Sequence, residues 1–165
     1  MRQREIADEI IHMAEADQRM RKSGDWDDSL DQKNTERLKE IVKENGWPTR
    51  SKVGKDASFY SWLLVQHADH DVAFQKACLD MMKREKDGEV DKNGIAYLED
   101  RVRVNEEKPI LYGTQFYRNQ AGEMICRPIE DSKNLDSRRK SMGLEPFAEY
   151  EKYMRDTYGK HNFTK

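Results

Sequence analysis

Gln66, His67, His70 and Asp71 fall within one six-residue stretch of the chain. An imidazole four residues from a carboxylate on a helix can be oriented by it and then act as general acid or base. His67 and Asp71 have that spacing. His67 and His70, three apart, could instead share a metal ion with a third ligand such as Asp17. The spacing is not that of HExxH and no cysteine assists, so the sequence predicts no metal and no cofactor. No GxSxG nucleophile elbow, Walker loop or dinucleotide GxGxxG is present.

The faces on which these residues lie give them more weight. At about 100° per residue, Gln66, His67 and His70 share an arc with Phe59, Leu63 and Phe74 on a helix predicted over 56–84. On a first helix, Asp17 sits within the stripe Ile6, Ile10, Met13, Ala14, with Arg21 one turn further. Asn34 precedes Leu38 by one turn on a second helix. Asn105 continues the line of Leu98 and Val102 on a fourth, bordered by Arg101. An unpaired polar group in a core costs about 1–3 kcal/mol. Exceptions on four helices are therefore expected to meet one another or to line a cleft. Plainer roles stand beside that expectation: a hydrogen-bonded core histidine, a local Asp17–Arg21 ion pair, an N-cap at Asn34, a helix end at Asn105.

The elements that must position these residues follow from hydrophobic period and stop signals. Helices are predicted over 3–22, ending at Ser23-Gly24-Asp25, over 30–45, ending at Asn45-Gly46, over 56–84, over 92–105 and over 146–158. Trp47-Pro48-Thr49 reads as a turn anchored by its tryptophan. From 112 to 128 the period shortens to two around Asn119-Gln120-Ala121-Gly122, which predicts a hairpin. Gly113, between Tyr112 and Thr114-Gln115, would let backbone approach a ligand closely. The expected fold is mainly α: a helical bundle of about five helices with a small β-hairpin near the C-terminal third, as one domain over 1–165.

Composition narrows the function classes. The chain has 165 residues, 36% hydrophobic and 38% charged, with a formal net charge of -2. That balance fits charged helical exteriors around a core and supplies no general field for nucleic acid or membrane. The basic run Arg138-Arg139-Lys140 reads as a solvated helix face. Cys78 and Cys126 lack CxxC spacing and read as free thiols of a reducing compartment. With no apolar run near the roughly 20 residues of a membrane span and no signal-peptide core, a cytoplasmic location is expected.

Several separated segments together resemble a bacterial family of domains of unknown function. They are Gly46-Trp47-Pro48-Thr49, the run from Trp62 to Asp71, Asp100-Arg101 with Val104-Asn105, Tyr112-Gly113-Thr114-Gln115, and Arg127-Pro128-Ile129-Glu130-Asp131. Asp136, Arg138-Arg139 and Gly143-Leu144 follow in order. The resemblance covers about 15–150 and implies a bacterial or phage-borne setting and a single globular domain. It implies that Gln66, His67, Asp71, Arg101, Asn105, Tyr112 and Gln115 recur in the family, and it implies no activity. The chain departs from the pattern near Ile110, where a glutamine is expected.

Two functions fit these residues. One is a hydrolase or transferase acting on a polar small molecule or peptide-like substrate, with His67 as acid or base and Asp71 or Asp17 orienting it. Arg101 would clamp an anionic group, while Gln66, His70, Arg21, Asn34, Asn105, Tyr112 and Gln115 line the cleft and position the substrate. The other is a non-catalytic module that binds a ligand or a partner protein through the same cleft.

Overall fold

Gly24, with φ 75°, stops the first helix, and Asp27 starts the second by accepting the Ser29 amide at 2.9 Å. Boundaries of this kind partition the computed structural model, which describes residues 2–159. The order is α1 (Arg2–Ser23), α2 (Asp28–Asn45), α3 (Arg50–Gln66), α4 (Val72–Arg84) and α5 (Lys92–Asn105). Then come β1 (Phe116–Arg118), β2 (Met124–Cys126), a 3-10 turn (Ser132–Asn134), α6 (Leu135–Ser141) and α7 (Phe147–Tyr158). The described chain is thus mainly helical with one small antiparallel hairpin, paired Phe116 to Cys126, Tyr117 to Ile125 and Arg118 to Met124.

The helix predicted over 56–84 is two helices. Backbone hydrogen bonding turns at Ala68 and Asp71, and Asp71 caps α4 by accepting the Phe74 amide at 2.9 Å. Leu63 and Phe74 lie about three full turns apart, so the apolar stripe keeps its phase across the break and conceals it. At the other end Gly54, with φ 82° and ψ 169°, interrupts α3 in a conformation open essentially to glycine alone.

The chain divides into two compact units, Met1–Leu98 and Glu99–Lys165, with the division inside α5. In the first unit α3 packs chiefly on α1. On α3 the small residues Ala57, Ser58 and Ser61 are buried with Leu64 and Val65, and on α1 Ala7, Ile10 and Ala14 are buried. Small side chains on both helices permit close approach. The expected inner face of Phe59 and Leu63 is on the other side, and Phe59 is 45% exposed. Trp47 is buried, and its carbonyl accepts from Lys52 Nζ at 3.0 Å, so the turn is anchored as expected.

The second unit is organised by two buried charges. Asp100 accepts the amides of Leu111, Tyr112 and Thr114 and the Thr114 hydroxyl, at 2.7–3.2 Å. Arg139 is buried, donating to the carbonyls of Glu145 (2.7 Å) and Tyr112 (2.6 Å), with its guanidinium 5.0 Å from the Tyr150 ring centre. Arg138 donates to the carbonyls of Leu111, Glu130 and Asp131. The basic run is therefore no solvated face: two of its three cations collect backbone carbonyls from the segments before and after α6. The sequence reading had no helix at α6, a seven-residue element that buries only Leu135 and Arg139 and so shows no period.

Gly113 has φ 67°, and a Cβ placed on it would lie 2.7 Å from Cε2 of Phe147. The close approach it permits is to this ring. Gly113→Ala is expected to lower unfolding free energy by about 2 kcal/mol through overpacking and left-handed backbone cost. Denaturant unfolding checks this, and an unchanged midpoint would contradict it.

Candidate functional site

Asp17 has no exposure to solvent, and three side chains converge on its carboxylate. Gln18 Nε2 donates to Oδ2 at 2.8 Å and Arg21 Nε to Oδ1 at 3.0 Å, with Arg21 Nη2 2.9 Å from the same oxygen. His67 Nδ1 stands 3.0 Å from Oδ2. Arg21 also reaches both oxygens of Asp31, at 2.9 and 3.0 Å, and its guanidinium lies 5.3 Å from the Trp26 ring centre. The cluster is built from the C-terminal half of α1, the first turn of α2 and the residue that ends α3.

Local structure explains the convergence. Asp17 and Arg21 are one turn apart on α1, so both project to the same side. His67 closes α3, its amide donating to the carbonyls of Leu63 and Leu64, and its side chain is 20% exposed. Arg21 is 22% exposed, so the cluster has a buried base and an outer edge.

Burial works against the charge of Asp17, but hydrogen bonds from His67 and Arg21 outweigh it and hold the carboxyl well below the usual carboxylate range. Asp31 goes the other way: burial raises it, and Arg21 offsets only part of the effect. Nδ1 of His67 lies near both a donor, Arg21 Nε at 3.1 Å, and an acceptor, Asp17. The Arg21 N–H already has a carboxylate oxygen at 3.0 Å, the stronger acceptor, so the Nδ1 proton belongs on the bond to Asp17. In the neutral ring that leaves the lone pair on Nε2, which has no hydrogen-bond partner among the described residues.

The other expected residues are placed as follows. Asp71, expected beside His67, is engaged instead at the α4 N-terminus and with Lys39 Nζ at 2.6 Å, because the helix that would have stacked it on His67 ends at Gln66. His70 is exposed in the connection between α3 and α4. Gln66 is buried, its Nε2 at 3.5 Å from the Tyr97 carbonyl and its Oε1 without a hydrogen-bond partner among the described residues. Asn34 is buried inside α2, whose cap is Asp27, and its Nδ2 has no hydrogen-bond partner among the described residues. Arg101, Asn105, Tyr112 and Gln115 belong to the second unit. There Arg101 Nη1 donates to Gln115 Oε1 at 3.2 Å, Asn105 ends α5, and the Tyr112 amide is held by Asp100. Burial raises the Tyr112 hydroxyl above its ordinary value. Among the described residues no three His, Cys, Asp or Glu side chains are placed to hold a metal ion, so His67, His70 and Asp17 form no such group.

Sequence reasoning missed Gln18, Asp31 and Trp26. Gln18 adjoins Asp17 and could have been read as its partner. Asp31 meets Arg21 only through the packing of α2 on α1, for which periodicity gives no sign.

Together these features describe a mainly helical protein with a buried carboxylate that orients a partly exposed imidazole. No described helix is long and apolar enough to cross a membrane. Residues 4–162 match DUF6624, a family of unknown function, and the chain belongs to that family. No curated protein and no solved structure matches it.

Asp17→Ala is expected to destabilise the protein by about 2 kcal/mol at neutral pH, since it strands Arg21 and His67. The depressed carboxyl fixes the sign of the pH dependence. Its stabilisation is fully present above the ordinary value of 3.8 and declines as acid carries the pH below that toward the lower folded value. Urea unfolding of wild type and Asp17→Asn should therefore converge as the pH is lowered below about 4. A gap that widens below about pH 4 would contradict the assignment.

Proposed function

We propose that this chain is a small acid–base enzyme, a hydrolase or transferase acting on a polar small molecule or peptide-like substrate, with His67 as the proton carrier. The observation that carries this reading is the Asp17–His67 pair, with Nδ1 at 3.0 Å from a fully buried carboxylate and Nε2 unbonded. Asp17 fixes the tautomer and ring orientation, so Nε2 can accept a proton from a water or substrate hydroxyl.

Charge balance supports the same role. Two carboxylates, Asp17 and Asp31, share one guanidinium, Arg21. The side chain of His67 stands beside that cluster, with Nδ1 3.0 Å from Asp17 Oδ2. Trp26, 65% exposed beside Arg21, offers a flat apolar surface at the outer edge for a substrate to lie against. The reading draws only on residues of the first unit. A bacterial, cytoplasmic setting accompanies it, consistent with the free thiols Cys78 and Cys126.

The test combines turnover with ring chemistry. Chromogenic esters, amides and phosphoesters would be assayed with wild type, His67→Gln and Asp17→Asn, each checked for native circular dichroism. His67→Gln should lose about 10²–10⁴-fold in kcat, and Asp17→Asn a part of that. Nitrogen-15 NMR should show the neutral His67 ring protonated at Nδ1 and bare at Nε2. Equal rates in all three proteins, or the opposite tautomer, would refute the role.

A further inference from the structure

On the bulky side of α3, Phe59 is exposed and Trp62 is half-buried. Ser58, Phe59 and Trp62 of α3 border a cavity of about 380 Å³ together with Tyr97 of α5. That volume falls in the roughly 300–1,000 Å³ range of small-molecule sites. The rings form a continuous wall: Phe59 and Trp62 have centroids 5.3 Å apart, and Trp62 and Tyr97 meet edge to face at 6.0 Å. Gly94 brings the α5 backbone directly onto the indole, since a Cβ there would lie 3.2 Å from Cδ1 of Trp62.

The charged residues at the cavity are Arg50, Lys55 and Asp91. Arg50 is paired with Asp91 and donates to the Gly88 carbonyl. Lys55 is exposed and makes no hydrogen bond or ion pair with a described residue. Two cations against one anion leave a net positive charge beside an aromatic wall. None of these residues belongs to the Asp17–His67 cluster.

We propose that this cavity binds a planar aromatic or heteroaromatic ring carrying one anionic group. The ring lies against Phe59, Trp62 and Tyr97, and the anion meets Lys55 at the mouth. Apolar contact and ring stacking favour the flat body, and a charge-assisted hydrogen bond to the ammonium selects the anion. Neither part depends on His67 being catalytic.

Isothermal titration of the full chain with four compounds tests this: adenosine 5′-monophosphate, adenosine, inorganic phosphate and 2-naphthoate. The expected result is saturable binding of one or both ring anions, with adenosine and phosphate at least about tenfold weaker. Lys55→Gln, a change at an exposed side chain, should weaken the ring anion about tenfold and leave adenosine unchanged. Phe59→Ala should weaken every ring ligand. Preference for the nucleotide over naphthoate would identify a phosphate, and the reverse a carboxylate. Absence of binding by both ring anions at about 1 mM, phosphate binding as tightly as the nucleotide, or unchanged affinity in Lys55→Gln would overturn the proposal.

Discussion

A carboxylate withdrawn completely from water must be answered by donors on nearly every side, and Asp17 imposes that demand on the first unit. Burial alone would cost several kcal/mol for such an ion. The chain meets it with Gln18 and Arg21 from the same helix and with His67 from the end of α3. Arg21 in turn needs Asp31, which fixes where α2 begins relative to α1. Three helix ends are thus tied to one charge.

The second unit solves a similar problem differently. Asp100 is also fully buried, but its donors are three backbone amides and a hydroxyl. Backbone amides neither gain nor lose protons near neutral pH, so that arrangement fixes a loop and does little else. The Asp17 cluster contains an imidazole, a group that can exchange a proton with solvent or substrate. The two clusters thus differ in donor chemistry, and the proposed proton transfer rests on the imidazole.

Much of this was legible in the sequence, and the failures have identifiable physical causes. The α1, α2, α5 and hairpin segments follow directly from period and from Gly or Asn-Gly stops. Asp17, Arg21 and His67 stand out because each is polar on an apolar stripe. The His67–Asp71 relation failed because a spacing of four residues means proximity only while the helix continues, and Asp71 is itself the cap of a new one. The inward face of α3 was misjudged because hydrophobicity marks Phe59 and Leu63. The residues actually buried on this helix include Ala57, Ser58 and Ser61. Arg139 defeated composition altogether, since a guanidinium sandwiched by rings and carbonyls looks in sequence like any surface cation.

His67 is the residue at which α3 stops, and this ties its reach to the length of the helix before it. Adding or removing one residue between Gly54 and Gln66 would swing the imidazole about 100° around the axis, away from Asp17. Changes after His70, in the exposed connection ahead of the Asp71 cap, leave that angle untouched. Length variation among relatives should therefore be tolerated on one side of His67 and excluded on the other, a pattern of gaps that would identify the imidazole's role without any assay.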